Sequence, residues 1–149
     1  MIKTLSQLFV GAVLMFSVTA NASKSMDQIV ENYLKIQDAL ASDVQTGIPQ
    51  AAGEIKKLTG QLKGSEKALA KNLSVGATEV AKGSDIKQTR EAFKKLSAPM
   101  VAWAKQSKPA DLEIYSCSMA QAPWLQKKGT SLRNPYYGKE MLECGEKEA

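Results

Sequence analysis

The stretch SDIKQTREAFKKLSAPMVAWAK, residues 84–105, decides the fold. Ser84 and Asp85 supply the side-chain oxygens that start helices, and Ile86, Phe93, Leu96, Met100 and Trp103 then fall along one helical face. The pattern predicts the strongest helix of the chain, ending at about residue 105. Pro99 lacks a backbone N–H and its ring presses on the carbonyl four residues back, so a kink or an early end near Ala98 is expected.

The same period runs upstream. Ser25 with Gln28 makes a capping pair, and Ile29, Tyr33, Ile36 and Leu40 follow at spacings of four, three and four, predicting a helix over 25–42. Asp43 to Gly47 reads as a connection, and Pro49 suits the first turn of a second helix over 48–62, with Ala51, Ile55, Leu58 and Leu62 on one face and Gly64 as its stop. Ser65 and Glu66 open a third segment in which Leu69, Leu73, Gly76 and Val80 are the buried candidates and Gly83 the end. Four amphipathic helices on short loops bury their stripes most simply as an up-down-up-down array. The expected fold is therefore all-α: an antiparallel four-helix bundle over 23–108, with an irregular C-terminal segment, 109–149, packed on the same domain. Tyr33, Phe93, Met100 and Trp103 read as core. Lys56, Lys63, Lys67 and Lys71 read as a solvated helix face.

Before the bundle, Lys3, the apolar run Leu8 to Val18 and the small-x-small site Ala20-Asn21-Ala22 have the order of an export signal, residues 1–22, cleaved after Ala22. The expected location is the periplasm. Twenty basic and 15 acidic residues, with Lys3 the single charge in the signal, leave the exported part near +4, too weak a balance to imply nucleic acid. Nothing after residue 22 approaches the ~20 apolar residues of a membrane span. The chain has no histidine, which excludes Ser-His-Asp and Cys-His hydrolysis, imidazole acid/base work and imidazole metal sites. With no C-x-x-C pair and no paired carboxylates standing out, the chain reads as no enzyme.

The distinctive donors are sulfur. Leu112, Ile114 and Tyr115 suggest a short extended stretch, in which Cys117 and Met119 would share a face roughly 7 Å apart. Asn134-Pro135 precedes a helical turn ending at Gly145, on which Met141 and Cys144 are three apart and co-facial. Thiolate and thioether donors favour copper(I), and silver(I) equally, over zinc, magnesium or calcium. The rival reading is one structural disulfide, whose loop of ~27 residues would contribute roughly 3.5 kcal/mol.

From Cys117-Ser118-Met119-Ala120, through Trp124-Leu125-Gln126, to Asn134-Pro135-Tyr136-Tyr137-Gly138 with Met141-Leu142 and Cys144-Gly145, the tail resembles the signature C-P-M-A, W-L-Q, N-P-Y-[FY]-G-x-x-M-L-x-C-G. That signature belongs to a bacterial periplasmic helical-bundle family of uncharacterised domains, found alone or fused to adaptor subunits of copper/silver efflux systems. Ser118 stands where the family has proline, which removes a stiffening element from that half-site. The helical part is similar more weakly, through Arg90, Phe93 and Leu96-Ser97. The resemblance implies copper handling. The expectation is a periplasmic copper(I) carrier or buffer with Cys117, Met119, Met141 and Cys144 as ligands, delivering to a copper efflux or copper-enzyme assembly protein. Trp124, Tyr136 and Tyr137 would then wall the ion from water, or simply pack the tail. The alternative is a disulfide-stapled structural or protein-interaction module without metal.

Overall fold

The computed structural model describes residues 17–148, with side chains from residue 24. Lys3 and most of the apolar run of the expected export signal lie outside these residues, and Ala20-Asn21-Ala22 falls within the first helix, α1 (Ser17–Ala41). Ser25 therefore sits inside α1 instead of capping it, and its hydroxyl donates to Gln61 Oε1 at 2.8 Å. No glycine or proline interrupts SVTANASK, so the helix runs back through the capping signature.

Three further helices follow: α2 (Ile48–Thr59), α3 (Lys67–Ala81) and α4 (Ile86–Ser107). The expected stripes are buried, with Ile29, Tyr33, Ile36 and Leu40 from α1, Ile55 from α2, Leu73 from α3, and Phe93, Leu96 and Met100 from α4 all inaccessible to solvent. Trp103, expected in the core, is half-buried at its edge. Asp85 caps α4 as its sequence implies, accepting from the Gln88 N–H at 2.8 Å. The break expected near Ala98 does not occur, because α4 passes through Pro99 and stops only at Ser107. A proline inside a helix costs about 3 kcal/mol. Met100, Val101 and Ala104, buried beyond it, offset that at ~1.5–3 kcal/mol for each large side chain. Lys56, Lys63, Lys67 and Lys71 are all exposed.

Short loops return each helix beside its predecessor, α2 on α1, α3 on α2 and α4 on α3. At Gly76 the backbones of α3 and α4 come so close that an added methyl carbon would lie 2.7 Å from Leu96 Cα. Gly76→Ala is expected to destabilise the fold by about 1–3 kcal/mol, because backbone cannot rotate away and the ~1 kcal/mol gained in helix propensity is smaller. A thermal melt followed by circular dichroism checks this, and an unchanged or raised midpoint would contradict the close approach.

The C-terminal segment corrects the all-α expectation. It holds a three-stranded antiparallel sheet, order β2-β1-β3, built from β1 (Leu112–Cys117), β2 (Ala122–Lys127) and β3 (Glu146–Lys147). β1 and β2 form a hairpin from Leu112↔Lys127 to Cys117↔Ala122, while β3 adds only Tyr115↔Lys147 and Ser116↔Glu146. Pro123 is tolerated because β2 is an edge strand and needs no second ladder there. The other side of β2 packs on both α4 and α1. A chain of hydrogen bonds seats it: the Leu125 N–H donates to Tyr33 Oη at 3.0 Å, and Ser97 Oγ donates to the Pro123 carbonyl at 2.8 Å. Because the one Ser97 proton is committed, Tyr33 must donate in the 2.6 Å contact between the two hydroxyls. Burial pushes the Tyr33 phenol far above its ordinary range, so it remains a neutral donor.

Candidate metal centre

Cys117 ends β1, and Cys144 lies on the return toward β3 after the short 3-10 turn Gly138–Met141. Both are free thiols. They line one open cleft of about 480 Å³ with Ser116, Ser118, Gln121 and Glu146. Cys117 is only 1 % exposed, whereas Cys144 is half-buried. The Cys144 thiol is pushed up, first by burial and then by the charge and hydrogen bond of the neighbouring Cys117. Cys117 Sγ also receives the Ala120 N–H at 3.4 Å, a bond that would strengthen if the sulfur became a thiolate.

The methionines are not arranged as expected. Alternation stops at Cys117, because 118–121 is a turn closed by the Gln121 N–H donating to the Ser118 carbonyl at 3.3 Å, with Gln121 at φ 52°. Met119 therefore does not share the inward face of Cys117; it is 59 % exposed. Met141 is half-buried one turn before Cys144, whose N–H donates to the Met141 carbonyl at 3.1 Å. Neither thioether lines the cleft with the thiols. Among the described residues no three His, Cys, Asp or Glu side chains converge where they could hold an ion. The donor set in place is the sulfur pair, which suits the low coordination numbers of soft monovalent ions and leaves zinc short of its four ligands.

The rest of the tail motif positions these sulfurs. Asn134, fully buried, donates from Nδ2 to the Cys144 carbonyl at 2.6 Å, accepts the Tyr136 N–H on Oδ1 at 2.8 Å, and gives its own N–H to the Leu142 carbonyl at 2.7 Å. Gln126 accepts the Arg133 N–H at 2.9 Å and donates to the Ser131 carbonyl at 2.6 Å, folding the loop that delivers Asn134. Arg90 ties this loop to the bundle, reaching the Pro135 carbonyl at 3.0 Å, the Leu40 carbonyl at 2.8 Å and Asp43 Oδ1 at 2.6 Å. That pairing, with the Lys139 N–H, holds the Asp43 carboxyl below its usual range. Gly145 presses flat on the indole, since a methyl carbon there would lie 2.6 Å from Trp124 Cη2.

Trp124 and Tyr136 are buried in a run of rings that continues the core: Tyr33 to Phe93 at 5.1 Å, Phe93 to Tyr136 at 6.0 Å, Tyr136 to Trp124 at 5.9 Å and Trp124 to Tyr115 at 5.7 Å between centroids. Both are outside the cleft lining, Trp124 lying against Gly145, and Tyr137 is half-buried against the core. Sequence reasoning missed the positioning parts of Asn134 and Gln126. Their only signal was their place inside the motif, since an amide that bonds three loop strands carries no periodicity.

No curated protein and no solved structure matches the chain. A family model matches residues 29–111, which span most of α1, all of α2, α3 and α4, and end just before β1. The match thus rests on the helical body, where the weaker similarity was expected, and stops short of both cysteines. Covering more than half of the sequence, it establishes that the chain belongs to the family described as Protein of unknown function (DUF3347).

Proposed function

We propose that this chain is an exported carrier or buffer of copper(I), binding one ion through the thiolates of Cys117 and Cys144, and that silver(I) occupies the same site. The observation that supports this is the meeting of two free thiols, from stretches far apart in sequence, in one solvent-open cleft. A carrier needs few ligands, so that a partner's sulfurs displace them one at a time. The resemblance of the tail motif to domains attached to copper/silver efflux adaptors points to an efflux or copper-enzyme assembly protein as that partner. Met141, adjoining Cys144, and Met119 on the turn after Cys117 are the nearest thioethers by sequence.

Reduced protein titrated against a colorimetric copper(I) chelator without oxygen is expected to hold one ion per chain. Because the Cys144 proton is held more tightly than in a free thiol, binding must displace it. Affinity therefore rises with pH, by about tenfold per unit for each proton released, and keeps rising past the ordinary thiol value near ~8.5. A pH-independent affinity, or none at neutral pH, contradicts the reading.

The presence of both free thiols in one cleft favours a second reading, a disulfide-stapled interaction module in which oxidation joins the pair. Intact mass of protein taken directly from the export compartment separates the two. A fully oxidised population that resists mild reductant supports the staple.

A further inference from the structure

Met119 is one of three large apolar side chains left exposed among the described residues, with Val44 and Val75. Val44 lies in the loop after α1 and Val75 on α3, whereas Met119 sits on the turn 118–121 that forms one wall of the thiol cleft. Its neighbour Ser118 and, two residues on, Gln121 both line that cleft. The turn is fixed by the Gln121 to Ser118 hydrogen bond and by the Ala120 N–H on Cys117 Sγ. The thioether is thus tethered two residues from a buried thiol while its own side chain is exposed. An exposed methionine on a hydrogen-bonded turn costs apolar exposure and contributes nothing to the core.

We propose, resting on the copper(I) reading above, that Met119 is an exchange ligand and not a resident one: it takes the ion at the surface and passes it to Cys117 and Cys144, and takes part again when the ion leaves. Copper(I) accepts a third soft donor, so loading and release both run through a state in which the thioether is bound while one cysteine sulfur is not. On loading, each cysteine thiol gives its proton to water as its sulfur replaces a chelator or thioether donor on the ion; on release the thiolate that lets go takes a proton back, and copper stays copper(I) throughout. A ligand bound only in that intermediate speeds both directions equally and leaves the equilibrium unchanged.

The experiment is stopped-flow transfer of copper(I), without oxygen, from a water-soluble copper(I) chelator to the full exported chain and back to excess chelator, for the unmodified protein, Met119→Leu and Met141→Leu. For Met119→Leu we expect loading and release both slowed about tenfold, with affinity within about threefold of the unmodified protein. Met141→Leu should leave both rates near the unmodified values. Unchanged rates in Met119→Leu overturn the proposal, as does a loss of affinity carried by release alone, which would make Met119 a resident ligand. If the unmodified protein takes no copper(I), the carrier reading falls together with this one; if it binds and Met119→Leu behaves normally, only this one falls. Since Met119 is exposed, the variant's fold, checked by its thermal midpoint, should not change.

Discussion

Serine at either Cys117 or Cys144 is expected to end copper(I) retention against a chelator that the unmodified chain withstands, a loss of about a thousandfold or ~4 kcal/mol in affinity. The size follows from the donor count. Only these two thiols meet in the cleft, and a hydroxyl is a hard donor with little attraction for a soft monovalent ion. Losing one of two leaves a single thiolate, which open solvent on that side cannot replace. The control is the fold. Cys144 is half-buried, so Cys144→Ser should keep its thermal midpoint; Cys117 is buried, and Cys117→Ala is the better partner variant because it buries no new polar group. Met100→Leu, a volume-conserving change in the core, should bind as the unmodified protein does. A Cys144→Ser protein that still holds one ion at near-normal affinity would remove the site assigned here.

Trp124→Ala is expected to cost about 3–5 kcal/mol, a large part of the ~5–15 kcal/mol that holds a domain of this size together. The indole is fully buried, lies in contact with the rings of Tyr115 and Tyr136, and backs the chain at Gly145. It also stands on the strand that fills the space between α1 and α4. Removing it opens a cavity that cannot collapse, since Tyr33, Ser97 and Tyr136 pin β2 by hydrogen bonds on the bundle side. The melting midpoint should fall by more than about 10 °C. Copper(I) binding should weaken as well, because Cys144 loses the surface its neighbour Gly145 leans on. A midpoint within a degree or two of the unmodified protein would mean that the sheet is an appendage and not part of the core.

The helices were legible for a simple reason. Each buries one stripe, and a stripe at the helical period is a local pattern: Ile29, Tyr33, Ile36 and Leu40, or Phe93, Leu96 and Met100, announce themselves within a few turns. Boundaries were less legible. Ser25 carries a cap signature yet lies inside α1, and Pro99 carries a break signature yet lies inside α4, because in both places continuation of the helix and packing outweigh a local preference. β2 was not foreseen at all. Four of its six residues, including the consecutive Trp124, Leu125 and Gln126, are buried, so no alternation marks them as a strand, and a proline argues against one.

For the site, the sequence by itself determined the inventory of donors: no imidazole anywhere, two thiols and a few thioethers. Which sulfurs meet was decided by tertiary structure. Cys117 and Cys144 come together because β3 pairs with β1 and because the Asn134 amide, delivered by Gln126 and Arg90, fastens the Cys144 carbonyl. Met119 is left outside because the hairpin turns at residue 118 and its side chain faces solvent. Spacing along a chain fixes co-facial pairs only while the backbone stays regular. Contact across a turn or between strands is set by hydrogen bonds and packing from residues far away in sequence.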